Sequence, residues 1–210
     1  MRETLLFVGQ MVRRWRTTGA IAPSGGRLAR AMADAVGPVP DGAVIIELGP
    51  GTGVFTRELV KRFPGAKVVA VEINEVFAAR LARAAPGATV VTGCAARLEA
   101  HLAALNLAPS DVVAVVSGLP LLSLPGDLPR QVLGAVAGVL GPGKRYVQFT
   151  YSERAWRRFD VSQFRRHPRR RVWWNVPPAF VLPFTREGSA APAGPDRTCS
   201  APTASEPVPA

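Results

Sequence analysis

Val44-Ile45-Ile46-Glu47-Leu48-Gly49-Pro50-Gly51-Thr52-Gly53 joins an apolar run of strand length to three glycines at alternate positions. Such a run reads as a buried parallel strand, and the glycines after it let the backbone turn sharply. Without a Cβ they also leave room for a ligand to approach the main chain. A helix is expected next at Phe55–Phe63, then a second strand at Val68–Val71 that ends in Glu72. In a doubly wound sheet this places the glycine turn at the carboxyl edge of the strands, where ligands bind.

The same alternation continues outward. A helix is expected near Val76–Ala84, a third strand at Thr89–Val91 and a helix at Leu98–Leu105. Val112–Val116 reads as a fully buried strand, Leu128–Leu140 as a helix and Arg145–Tyr151 as a strand. Upstream, a helix is expected at about Arg27–Val36, followed by the breakers Gly37-Pro38 and Asp41-Gly42. Val172–Phe184 is expected to supply the last strand or strands at a sheet edge. The fold class is therefore α/β, a Rossmann-like doubly wound sheet with helices on both faces.

Dinucleotide-binding loops carry G-x-G-x-x-G, but Val54 stands where the third glycine would be. The spacing is instead G-x-G-x-G with an acid two residues before it, Glu47. Glu72 stands where an acid accepts both ribose hydroxyls of an adenosine. Glu47-Leu48-Gly49-Pro50-Gly51-Thr52-Gly53 resembles the first motif of the class I S-adenosylmethionine (SAM) methyltransferases. That resemblance implies a loop holding the methionine part of SAM, with Glu47 helping to bind its amino group. The family usually has an Asp after the third strand to accept from the adenine amino group. Gly93-Cys94-Ala95 departs from this, because a thiol is a poor acceptor. The cofactor set implied is Glu47, Gly49, Gly51, Gly53, Glu72, Ile73, Cys94, Ala95 and Ser117. No metal site is expected.

After the fourth strand comes Ser117-Gly118-Leu119-Pro120-Leu121. The rRNA adenine dimethylases have a similar Asn-Leu-Pro-Tyr, whose polar head and aromatic tail grip a base. Here both features are missing, and a flipped base would lose a stacking partner worth about 1 to 3 kcal/mol. The run resembles instead the bacterial phospholipid N-methyltransferases. Thr18-Gly19-Ala20-Ile21-Ala22-Pro23-Ser24, Val147-Gln148-Phe149-Thr150-Tyr151-Ser152 and Trp174-Asn175-Val176-Pro177-Pro178-Ala179-Phe180 carry the same resemblance, from about Phe7 to Arg186.

This likeness implies stepwise methylation of phosphatidylethanolamine to phosphatidylcholine. Tyr151 and Ser117 are then the catalytic candidates, orienting the amine. Gly118, Leu119, Pro120, Arg170 and Asn175 join them in contacting the substrate, with one of Arg169, Arg170 or Arg171 on the lipid phosphate. Two other readings stand beside it: an RNA base methyltransferase, and a membrane- or RNA-binding protein that keeps the fold but has lost methyl transfer.

The charge is +11 over 210 residues, with eight arginines and the single acid Asp160 between Arg154 and Arg171. Such a strip suits a polyanionic partner or simply a solvated face. Residues 3–16 are expected to form an amphipathic helix. Leu5, Val8, Val12 and Trp15, flanked by Arg13, Arg14 and Arg16, would meet an anionic membrane surface. With the lipid resemblance, the expected partners are that surface and phosphatidylethanolamine, and nucleic acid is not expected.

No apolar run is long enough to span a bilayer, and the two cysteines suggest no disulfide framework. Arginines between Leu5-Leu6-Phe7-Val8 and Ala20-Ile21-Ala22 argue against a signal peptide. The protein is therefore expected in the bacterial cytoplasm, peripheral on the inner face of the cytoplasmic membrane. The expected organisation is an N-terminal helical segment at 1–36, a methyltransferase domain at 37–186 and a disordered tail at 187–210, where Ala, Pro, Ser and Gly dominate.

Overall fold

The computed structural model describes residues 25–173 and 178–188. The helix expected at 3–16, Asn175 and all but the first two residues of the expected tail lie outside the described residues. The chain begins with helix α1 (Gly25–Val36), β1 (Val44–Leu48), α2 (Val54–Arg62), β2 (Lys67–Glu72), α3 (Glu75–Ala84) and β3 (Ala88–Thr92). It continues through α4 (Leu98–Ala104), β4 (Val112–Ser117), α5 (Leu128–Val139) and β5 (Arg145–Thr150). The last elements are the short α6 (Glu153–Trp156), β6 (Phe164–Arg166), β7 (Arg170–Val172) and β8 (Ala179–Arg186).

One sheet holds the strands in the order β3-β2-β1-β4-β5-β8-β6, with β7 also paired to β8. The first five strands are mutually parallel and β8 runs antiparallel to β5. This is the Rossmann-like α/β sheet read from the sequence. Every residue of central β1 is buried, because helices cover both faces, whereas β3 at one edge is only partly covered.

Alternating side chains divide the core. Ile46 and Leu48 pack with α4 and α5 residues such as Leu98 and Val136, while Ile45 faces the cluster of Leu28, Met32 and Leu59 from α1 and α2. α1 is a packed element of this domain: Leu28, Ala29, Met32 and Val36 form its buried stripe.

The opposite edge differs from the expectation. β8 is not an edge strand but lies between β5 and the pair β6–β7. The edge is the arginine-rich stretch itself, which shows no apolar alternation because consecutive residues, Arg165 with Arg166 and Arg170 with Arg171, are exposed. Arg166 pairs with Phe184 and Arg170 with Val181, so three residues, His167 to Arg169, oppose two. That bulge takes Pro168 at the edge. It also accommodates Pro183 of β8, whose carbonyl accepts from the His167 N–H at 3.0 Å.

Candidate functional site

Three backbone bonds continue the parallel ladder past the strand ends. Gly49 N–H donates to the Val71 carbonyl (3.0 Å), Gly93 N–H to that of Glu72 (2.9 Å) and Gly118 N–H to that of Leu48 (2.8 Å). The loops after β1, β3 and β4 are thereby laid side by side across the carboxyl edge. Gly118 has to be glycine, because a Cβ there would lie 2.8 Å from the Gly49 carbonyl oxygen. Gly49, at φ +66°, would drive a Cβ into the Leu119 side chain. Gly51, at φ +54°, has nothing within 4 Å of such a Cβ, so the space above it is open. Gly53 starts α2 in the left-handed conformation and presses against Leu81, so its role is the turn rather than the cavity wall.

Glu47 sits under this loop, fully buried, with both carboxylate oxygens lacking a hydrogen-bond partner among the described residues. Burial pushes its pKa up from 4.5 to about 8, with the neighbouring Glu72 carboxylate adding to the rise. The Thr56 hydroxyl beside it offsets this only in part, since Thr56 Oγ1 is itself buried outside hydrogen-bond geometry. A buried carboxylate with unused acceptors is a place for a cation.

Glu72 ends β2 with Oε2 accepting from Gly51 N–H (3.0 Å) and Oε1 from Asn74 N–H (2.9 Å). Each oxygen keeps a further lone pair for a hydroxyl. Asn74 in turn caps α3, accepting from the Phe77 N–H at 3.1 Å.

Cys94 and Ala95 lie on the cavity wall with Glu72 and Ile73. The Cys94 carbonyl is held by His101 Nε2 at 3.0 Å, and that imidazole packs against Gly93, where a Cβ would collide with it.

The loop after β4 is built from below by polar groups that the sequence hides among apolar ones. Gln148 is fully buried; its Nε2 donates to the Leu119 carbonyl at 3.0 Å and its Oε1 accepts from the Tyr146 hydroxyl at 2.8 Å. Ser117 Oγ accepts from the Leu119 N–H at 3.3 Å. Ser117 therefore does not reach the cavity as expected of a catalytic residue; buried, it is spent on shaping the loop. Burial holds the Tyr146 hydroxyl far above its ordinary pKa, as a neutral donor, and its interaction with Ser117 offsets only part of that rise.

The cavity has a volume of about 210 Å³, more than ten times what one water requires. Gly118, Leu119, Pro120 and Tyr151, the expected substrate contacts, border it. Leu121, where an aromatic was missed, is buried in the core beside Leu48 and Leu98 instead. Sequence reasoning did not find Leu28 of α1, Leu124, Leu128 and Val132, or Phe55 and Phe149, which complete the wall. Their apolar character is the same whether they face a cavity or a core. Phe55, Phe149 and Tyr151 form an edge-to-face series with centroids 5.8 and 5.5 Å apart. Arg170 is not on the wall; it pairs with Asp34 of α1 at 3.1 Å.

The comparisons agree with this geometry. The ribosomal RNA adenine dimethylase family matches residues 31–92, from within α1 to the end of β3. An ornithine lipid N-methyltransferase of Singulisphaera acidiphila is 33% identical over 188 residues, 85% of this chain and 94% of that protein. A ribosomal RNA small subunit methyltransferase A of Phenylobacterium zucineum is 45% identical over 91 residues, covering 40% of this chain and 30% of its own.

Among solved structures, TrmN from Thermus thermophilus superposes with a TM-score of 0.64 at 18% identity. The match covers 82% of this chain and about half, 52%, of TrmN. The N-methyltransferase NodS of Bradyrhizobium japonicum WM9, in complex with S-adenosyl-L-homocysteine, gives a TM-score of 0.60 at 12% identity, over 84% and 97% of the two chains. Fold, glycine loop and distal acid define a SAM-binding transferase. The chain belongs to the class I SAM-dependent methyltransferases, and SAM is its cofactor.

Proposed function

We propose that this methyltransferase N-methylates an amine lipid, carrying phosphatidylethanolamine and its mono- and dimethyl derivatives toward phosphatidylcholine. The observation that carries the amine is the series Phe55, Phe149 and Tyr151 along one side of a largely apolar cavity. Aromatic faces attract alkylammonium groups, so each more highly methylated product is held at least as well as its precursor. The lipid is supported by the near full-length relation to an ornithine lipid N-methyltransferase. The rRNA adenine dimethylase family model matches residues 31–92, before β4, β5 and β8, and so the cofactor half rather than the acceptor half. The related rRNA methyltransferase covers only 40% of this chain, against 85% for the lipid methyltransferase. That favours lipid over RNA.

When bound, SAM supplies a methyl group as an electrophile on its sulfonium. The unpartnered Glu47 carboxylate is the group that fits its ammonium, and Glu72 the one that fits its ribose hydroxyls. Tyr151 would orient the amine nitrogen once it has given a proton to water, so that its lone pair can take the methyl group as the methyl–sulfonium bond breaks. Displacement of this kind depends on in-line placement rather than on a strong acid or base, which suits a wall poor in titratable groups. The anionic inner face of the cytoplasmic membrane is the proposed working surface, with residues 3–16 contributing to attachment. Among the described residues no helix is long and apolar enough to cross a membrane.

The test is expression in a bacterium that makes phosphatidylethanolamine but no phosphatidylcholine, followed by mass spectrometry of its lipids. Methylated phosphatidylethanolamines are expected. A host producing ornithine lipid provides the second arm: methylation of that lipid alone would move the substrate there. Methylation of neither, by a protein that binds SAM, would refute lipid transfer.

A further inference from the structure

We infer that the carboxyl end of β7, with Arg171 stacked on Trp173, is a docking surface for anionic lipid headgroups. The inference rests on the reading above of a lipid amine as substrate.

Trp173 is 65% exposed, and only Val76 among the other described large apolar side chains is comparably open. The Arg171 guanidinium lies over its ring, 3.7 Å from the centroid, and 5.3 Å from that of Phe180. Stacked in this way, Arg171 is held beside the exposed indole at the sheet edge. Its neighbours are already committed: Arg166 and Arg169 share Glu153 (2.6 and 2.9 Å), and Arg170 pairs with Asp34. Among the described residues Arg171 has no carboxylate partner, leaving this corner of the sheet cationic.

The position matters as much as the charge. Thr150, the last residue of β5, pairs with Phe180 of β8, which pairs with Arg171 of β7. Arg171 is thus two strands, roughly 10 Å, from the strand end that leads into Tyr151 and the cavity. A membrane plane touching Arg171 and Trp173 would lie at the same carboxyl edge as the cavity. Indole at the headgroup level with cations beside it is the usual chemistry of an interfacial contact. A guanidinium stacked beside an exposed indole at one corner of a sheet suits a plane of headgroups, whereas single-stranded RNA is usually tracked by a positively charged groove.

The experiment is sedimentation of the full chain with phosphatidylglycerol vesicles and with phosphatidylcholine vesicles, alongside titration with single-stranded RNA. The variants are Arg171→Gln, Arg171→Lys and Trp173→Ala, with SAM affinity measured for each. Wild type should prefer the anionic vesicles. Arg171→Gln should weaken that binding about fivefold, the contribution of one basic residue at an anionic surface. Trp173→Ala should weaken binding also to vesicles at high salt, and Arg171→Lys should keep most of it.

Unchanged vesicle binding by both Arg171→Gln and Trp173→Ala overturns the inference. So does a loss of vesicle and SAM binding together, or RNA binding that falls with these variants while vesicle binding does not. Variant-sensitive vesicle binding without any lipid methylation leaves the docking surface standing and removes the proposed substrate. Lipid methylation with variant-insensitive binding does the reverse.

Discussion

Gln148 Nε2 donates to the carbonyl of Leu119 at 3.0 Å, from a fully buried side chain whose oxygen also accepts from Tyr146. Removing the amide would strand the Tyr146 hydroxyl and free the loop of Gly118, Leu119 and Pro120. An unsatisfied buried polar group costs about 1 to 3 kcal/mol, so Gln148→Leu should lower stability by roughly 2 kcal/mol. Because the loop borders the cavity, kcat should fall by at least tenfold with SAM affinity nearly intact. Gln148→Glu, whose second oxygen would face the Leu119 and Phe149 carbonyls in a fully buried site, should lose kcat similarly and stability at least as much. Steady-state kinetics with denaturant titration checks both, and wild-type kcat in Gln148→Leu would show that the loop holds itself.

Glu47 predicts a pH dependence of both stability and cofactor binding. Its folded-state pKa of about 8 exceeds the ordinary 4.5. Between those values the folded protein holds a proton that the unfolded chain has released, so stability should fall as pH rises through that window. The size is on the order of a few kcal/mol. SAM brings a positive ammonium to the carboxylate, and its binding below pH 8 should release a proton. Affinity should therefore rise between pH 6 and 8, and calorimetry in buffers of different ionisation enthalpy should register the release. Glu47→Gln should flatten the stability profile and abolish the proton release. Equal proton release from that variant would assign it to another group.

Glu72 is tested separately. Its carboxylate organises Gly51 and Asn74 as well as offering acceptors to ribose. Glu72→Ala should weaken SAM binding at least tenfold, about 1.4 kcal/mol. Glu72→Gln, which keeps one acceptor, should lose less. An unchanged affinity in folded Glu72→Ala, measured by calorimetry, would refute the ribose assignment.

The parallel sheet was legible because its strands are short apolar or, for β5, alternating runs between helical periods, and the observed ends fall within a residue or two of those expected. The glycine loop was legible because Gly49, Gly51 and Glu72 are chemically unusual for the interior of a strand-turn-helix unit. β6 and β7 were not, since Arg165, Arg166, Arg170 and Arg171 face solvent at an edge and carry no alternation that marks a strand. Gln148 was quoted within a motif but not given a task, because nothing in Tyr146-Val147-Gln148-Phe149 says which polar group will meet the β4 loop. Ser117 was aimed at the cavity on its position alone, whereas a serine at a strand end can as readily cap the backbone two residues on.

Cys94 supplies the prediction that distinguishes this chain from others with its fold. The thiol stands where the resemblance implies a carboxylate accepting from the adenine amino group. The backbone there is fixed by other groups, Gly93 N–H on the Glu72 carbonyl and His101 on the Cys94 carbonyl. A changed side chain at 94 should therefore leave the loop in place. Cys94→Asp should tighten SAM binding, because one regained hydrogen bond to a charged acceptor is worth about 1.5 kcal/mol or more, roughly tenfold. Partial burial of the new charge works against this, so the gain should be largest near neutral pH, where the carboxylate is ionised, and smaller below pH 5. Titrating both proteins with SAM and with an analogue lacking the adenine amino group isolates the bond. The aspartate variant should gain with SAM and gain nothing with the analogue. Equal gains with both ligands would mean that the new charge acts on the sulfonium or ammonium at a distance, and no gain with either would place the adenine away from residue 94.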